Sequence, residues 1–170
     1  MDQIAFIDAE IEVSTGRILD IGAVREGGGE FRKNKAPELS TFLKGTHYVC
    51  GHNIIKHDLK YLGSAIKDAG VEQVIDTLTL SPLLFPSKPY HALLKDDKLQ
   101  TDDINNPLND AIKARDLFYD EIAAFEDLGL ALKGIYFELL KGQKEFASFF
   151  RYLGRSSEAD RCPDYKPDSH

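Results

Sequence analysis

The chain is poor in cysteine. Cys50 and Cys162 are its only two among 170 residues, too few for a disulfide framework and too far apart for a zinc site. Long apolar runs are missing too. None approaches the ~20 residues that a membrane span needs, so no membrane association is expected. Positive charge is scarce: 21 Lys and Arg stand against 28 Asp and Glu, a formal charge of −7. That is unusual for a chain that grips phosphates with basic side chains alone. It is tolerable where several acids are committed to divalent cations, and it is also what an ordinary acidic, solubilising surface gives. No G-x-x-x-x-G-K-[ST] loop occurs, which excludes a P-loop nucleotidase. Gly27-Gly28-Gly29 lacks the following helix that a dinucleotide fingerprint requires. Internal repeats and low-complexity tracts are absent. Met1-Asp2-Gln3 leads straight into an apolar strand with no secretory signal before it, and a reducing, cytoplasmic setting is expected.

What is present suffices for one α/β domain. Apolar residues make up 42%, a normal globular value, and the length allows a full core. Residues 3–11 read as a central strand, because Ile4 and Phe6 on one face and Ala5 and Ile7 on the other are all apolar. A turn at Ser14-Thr15-Gly16 leads to a strand over 17–25, and the three glycines lead to another near 30–32. Helix and strand then alternate: helix 37–43, strand 48–51, helix 57–69, strand 71–76, and a helical turn through Leu80. The prolines Pro82, Pro86 and Pro89 predict loop over 81–88. Residues 92–104 are densely charged and read as an exposed excursion. Asn106 as N-cap and Pro107 at the first helical position open a helix to about Phe125. Amphipathic helices are expected over 127–140 and 144–152. The domain is expected to span 1–153, with 154–170 a linker or disordered tail.

Four carboxylates fall where apolar residues belong. Asp8 and Glu10 continue the face begun by Ile4 and Phe6. Asp58 heads the helical stripe Leu62, Ala65, Ile66 and Ala69. Asp110 heads the stripe Ala114, Leu117 and Phe118. Each alone reads more simply as an exposed strand end or a helix-start acid. Together they can converge at one sheet edge. Buried, mutually repelling carboxylates are costly, and oxygen donors of this kind suit magnesium or manganese. Two such ions stabilise the attacking and leaving oxygens of a phosphoryl displacement.

These residues resemble the DEDD (DnaQ-like) 3′–5′ exonuclease superfamily over roughly residues 3–125. The first motif resembles Phe6-Ile7-Asp8-Ala9-Glu10 with the strand Arg17-Ile18-Leu19-Asp20-Ile21-Gly22-Ala23-Val24. The second resembles Gly51-His52-Asn53, followed by Asp58 and Tyr61-Leu62. Ile75-Asp76-Thr77-Leu78 resembles the family's next strand and turn. The third motif resembles Asn105-Asn106-Pro107-Leu108-Asn109-Asp110-Ala111. The wording from Leu93 to Leu99 and at Asn105–Asp110 is similar to exonuclease-like domains at the N-terminus of some bacterial RecQ-type helicases. The resemblance implies an RNase H-like fold, a mixed sheet with three antiparallel strands first and helices on both faces. It implies that Asp8, Glu10, Asp58 and Asp110 bind two divalent cations, Mg²⁺ or Mn²⁺, and that terminal phosphodiesters of single-stranded nucleic acid are hydrolysed from the 3′ end; DNA is the expected substrate, although the sequence does not decide between DNA and RNA. Asn53 and His52 are expected at the substrate, as are the positions Ile11 and Asn105.

Two positions depart from the pattern. Ile11 replaces the usual threonine. Asn105 stands where a histidine general base would, five residues before Asp110, and an amide accepts no proton at neutral pH. His91, in the loop before the last motif, is the candidate replacement. His57 reads as a packing residue. The alternative to catalysis is a weak or inactive 3′-end-binding module serving a helicase domain in the same or another chain. A purely structural domain is the third reading. The aromatic stretch Tyr136, Phe137, Phe146, Phe149, Phe150 and Tyr152 has helical spacing that suits packing, here or against an adjoining domain. Lys95 and Lys98 are candidate phosphate contacts in a segment that otherwise reads as solvated loop.

Overall fold

Alternation in the first strand sets the architecture. The computed structural model describes residues 4–93 and 106–157. β1 (Ile4–Glu12) pairs antiparallel with β2 (Arg17–Arg25), which pairs antiparallel with β3 (Glu30–Lys33). After α1 (Ala36–Leu43), β4 (Tyr48–Gly51) returns parallel to β1, and after α2 (Leu59–Asp68), β5 (Gln73–Asp76) lies parallel to β4. The five-stranded mixed sheet has the order β3-β2-β1-β4-β5. α3 (Thr77–Leu84), α4 (Pro107–Glu126), α5 (Leu130–Leu140) and α6 (Ala147–Ser157) follow.

The two faces of β1 bury into two different cores. Ala5, Ile7, Ala9 and Ile11 pack with Leu39 and Leu43 of α1 and Leu62 and Ile66 of α2. Ile4 and Phe6 pack with Leu80 and Leu84 of α3, Phe118 and Phe125 of α4, and Phe149 and Phe150 of α6. Helices therefore cover both faces, as expected of a strand apolar on both sides. Each fully buried large side chain contributes about 1.5–3 kcal/mol.

Several boundaries differ from the sequence expectation. α3 runs through Pro82 to Leu84, where loop was expected from Ser81 onward. Leu80 and Leu84 bury into the core, and that burial outweighs the hydrogen bond a proline removes. α2 begins at Leu59, with hydrogen-bonded turns over 53–58 in place of its first expected turn. α6 continues past Gly154 to Ser157, into the expected tail. α5 is not amphipathic: none of its residues is buried, and Leu130, Ile135 and Leu139 are exposed. Phe149 and Phe150, by contrast, are core residues in edge-to-face contact with Phe125, so they pack rather than stack on a ligand. The excursion from residue 94 to 104, with Lys95 and Lys98, lies outside the described residues, as does most of the 154–170 tail. Among the described residues no helix is long and apolar enough to cross a membrane.

Candidate functional site

Three local devices bring the four carboxylates together. The first is a glycine. Gly22 on β2 is the register partner of Asp8, so both positions face the same side of the sheet. A Cβ at Gly22 would stand 2.1 Å from the Leu108 nitrogen and 2.2 Å from the Pro107 carbonyl carbon. Only a residue without a side chain lets the N-terminus of α4 lie on the sheet beside Asp8. Asn106 shapes that terminus: its Oδ1 accepts from the Leu108 and Asn109 N–H groups at 3.1 and 3.4 Å. Asp110 follows in the first turn.

The second device joins α2 to β1. Pairing of β1 with β4 ends at Phe6 and Cys50. Beyond it, the Ala9 N–H donates to Asp58 Oδ1 at 3.0 Å. That bond places Asp58, only 2% exposed, next to the backbone between Asp8 and Glu10. It also meets the need of a buried N–H. Just after Glu10 the β1–β2 register shifts, an irregularity that re-aims side chains at a strand end.

The third device is Asp76, the buried N-cap of α3. Its carboxylate accepts from the Asn53, Ile55 and Leu78 N–H groups at 2.8, 3.1 and 2.9 Å. It thereby pins the segment that carries Asp58. Asn53 adopts φ 63°, a left-handed conformation that asparagine tolerates better than most residues. This is its evident role here: a corner of the turn between β4 and Asp58. Gly51 serves the same corner, because a Cβ there would lie 2.8 Å from the Ile7 carbonyl oxygen.

The resulting cluster is electrostatically unbalanced. Burial first, then the charges of Asp58, Asp110 and Glu10, push the Asp8 carboxyl up to about 7; His57 pulls it down. Burial pushes Asp58 up to about 7 as well, with Asp76 adding to the effect and the Ala9 N–H opposing it. Few basic side chains stand beside these acids. Lys113 Nζ lies 3.8 Å from Asp110 Oδ1, and His57 Nδ1 lies 3.7 Å from Asp58 Oδ1. Among the described residues, no three His, Cys, Asp or Glu side chains are arranged to hold an ion as they stand. The chemistry of the donor set nevertheless suits a hard divalent cation. The donors are carboxylates, they are partly desolvated, and a cation would relieve the repulsion that raises Asp8.

The histidines fall differently from their ranking in the sequence. His57 is the one beside Asp58 and within the field of Asp8. No periodicity marked it, since its placement depends on the turns ahead of α2. His91 lines a groove with Lys113 and Leu117, and its ring nitrogen Nδ1 is buried without a partner. His52 Nδ1 is 2.8 Å from Thr77 Oγ1. Burial lowers its pKa, and the charge of Asp76, then the backbone of His91 and the charge of Asp110, pull the other way. Ile11 is a buried core residue packed in the α1–α2 layer, facing away from the row of Asp8 and Glu10. Asn105 lies outside the described residues. Gly22 and Asp76 were not legible as site-building residues, although Gly22 interrupts the apolar run Ile21, Ala23, Val24.

Comparison of the chain with protein-family models, curated proteins and solved structures found no match.

Proposed function

We propose that the chain is a metal-dependent 3′–5′ exonuclease domain with an RNase H-like arrangement, acting on single-stranded nucleic acid, with DNA the preferred substrate. One observation carries the reading. Asp8, Glu10, Asp58 and Asp110 come from β1, the turn before α2 and the start of α4, yet burial, and after it the charges of the other three, hold the Asp8 carboxyl near 7. A fold gains no stability from gathering like charges this way. A cation-binding role accounts for it. The strand order, with three antiparallel strands first and parallel strands after, supports the fold assignment.

Asp8, Glu10, Asp58 and Asp110 would hold two Mg²⁺ or Mn²⁺ ions, which when bound supply Lewis-acid stabilisation of the attacking and leaving oxygens. Hydrolysis joins a water oxygen to the terminal phosphorus and breaks the bond to the 3′-oxygen of the preceding nucleotide. The water proton needs a base, and the 3′-oxygen needs a proton on leaving. Asn105 supplies neither. His57 stands at the edge of the cluster, its side chain 47% exposed to solvent; in this reading it takes the water proton, and the departing 3′-oxygen is protonated from solvent. The test is release of labelled 3′ mononucleotides with Mg²⁺ or Mn²⁺. Wild type should release them; Asp8→Asn and Asp110→Asn should not. Turnover that survives both substitutions rules the mechanism out.

The amide at Asn105 favours a second reading, a 3′-end-binding module without turnover that serves a helicase domain in the same or another chain. Metal-dependent binding of a 3′ mononucleotide, with no hydrolysis in either metal, would select it.

A further inference from the structure

Beside the carboxylate cluster lies a groove of about 300 Å³ between α4 and the segment after α3. Its size is at the small end of ligand-binding cavities, roughly 300–1,000 Å³. Its chemistry is opposite to that of the cluster. Lys88, His91 and Lys113 line it, and among the described residues no carboxylate does, in a chain whose formal charge is −7. Leu93 and Leu117 add apolar wall. Tyr90 lines it too and is 84% exposed, an aromatic ring presented to solvent with no core to explain it. Lys88 Nζ stands 4.0 Å from the centre of the Phe85 ring, which holds the ammonium over an apolar base. Nearby Glu121 does not neutralise these cations, because burial pushes its carboxyl up to about 9 and keeps it protonated at neutral pH.

The geometry points to this groove as the subsite for the nucleotide next to the reacting one: Lys88 and Lys113 hold its phosphate, and Tyr90 stacks on its base. The assignment rests on the proposed exonuclease reading. What adds to that reading is direction. Lys113 lies one helical turn beyond Asp110 on α4 and 3.8 Å from its carboxylate, so a strand whose end sits at the cluster has this groove as its adjoining positive surface. Ammonium groups and an exposed aromatic are the combination that binds single strands without reading sequence.

The experiment uses the full chain in EDTA, with a fluorescent oligothymidylate as probe and anisotropy as readout. EDTA separates the groove from the carboxylates' cations. Lys88→Gln and Lys113→Gln should each weaken binding about three- to tenfold and lower the slope of log affinity against log salt by about 0.7. Tyr90→Ala should weaken it at least about fivefold with the salt slope unchanged. Wild-type binding that none of the three alters overturns the subsite, as does a wild type that binds no oligonucleotide. Displacement of the probe by poly-glutamate at equal charge concentration overturns the nucleotide assignment in favour of an acidic peptide. Mn²⁺ binding to wild type and to Asp8→Asn is measured in parallel. Lost Mn²⁺ binding in the variant with unaltered groove variants keeps the exonuclease reading and removes the subsite. Altered groove variants in a chain that binds no Mn²⁺ leave a strand-binding groove and remove the nuclease.

Discussion

Replacing Glu121 by Gln should flatten the dependence of stability on pH between 7.5 and 8.5. Glu121 is on α4 and 0% exposed, and its buried carboxyl oxygens have no well-formed hydrogen bond, only a weak contact with the Ser81 hydroxyl. Burial, then Asp76, raises its carboxyl from 4.5 to about 9; Lys88 and Ser81 oppose the shift. A raised carboxyl means that the folded chain binds a proton the unfolded chain has released. Stability is therefore undiminished below about pH 4.5 and falls as pH rises toward 9, by about 1.4 kcal/mol per pH unit. At pH 8 the accumulated cost is about 5 kcal/mol. The other shifted groups act elsewhere. Asp8 and Asp58, both near 7, have the same sign, are each about a quarter protonated at pH 7.5 and fade by pH 8.5, equally in both proteins. His52, lowered by burial, acts with opposite sign below its ordinary value. Cys50 is raised and acts from about pH 8 upward, and Tyr119 and Tyr152, raised as well, act above about pH 9; all three act equally in the two proteins. Gln keeps the shape and a neutral polar head but needs no proton. Urea unfolding at pH 7.5, 8.0 and 8.5 in EDTA should give a wild-type slope more negative than that of Glu121→Gln by about 1 kcal/mol per unit, and a variant more stable by about 2–5 kcal/mol at pH 8. Equal slopes in the two proteins refute the argument.

Asp8→Asn should stabilise the metal-free chain by about 2–4 kcal/mol at pH 8, because it removes one charge from a repelling, partly buried set; Mn²⁺ should raise the melting temperature of wild type and leave the variant unmoved, and a destabilised variant in EDTA would count against the repulsion. Gly22→Ala should cost about 3 kcal/mol or more, since its Cβ meets backbone rather than a movable side chain; a loss under 1 kcal/mol in urea unfolding would show that α4 does not rest on β2. Asp76→Ala should cost about 3 kcal/mol, as three N–H groups lose their acceptor, and amide exchange should rise at Asn53, Ile55 and Leu78; exchange unchanged at those three would rule out the pinning role. His57→Gln should cut hydrolysis at least about a hundredfold while Mn²⁺ binding stays within a few-fold; full turnover in that variant transfers the base role elsewhere.

The parts of the site carried by local patterns were legible, and the parts carried by contact were not. The period of two in β1 put Asp8 and Glu10 on one face, and the structure sends the alternate residues into separate cores. Asn106 and Pro107 announced α4 because a cap and a fixed φ act within one turn. Helical spacing placed Asp58 and Asp110 at the heads of buried stripes, and the Asp58 bond to the Ala9 N–H agrees with that placement. Pro82 misled, because a proline's local cost says nothing about the burial of Leu80 and Leu84 around it. Gly22 was the largest omission. Its neighbours Ile21 and Ala23 are fully buried, so its lack of a side chain reads in sequence as a weak strand position, and it acquires meaning only when Pro107 and Leu108, some 85 residues later, settle against it. The same holds for His57, ranked as packing because the turn before α2 decides which way it faces. Four carboxylates could be nominated one by one from their spacing. Their meeting depends on a missing side chain, one buried N–H and a three-way acceptor, each joining segments far apart in the chain. A substitution at Gly22 should therefore damage the cluster as severely as one at a ligand, though Gly22 carries no chemistry of its own.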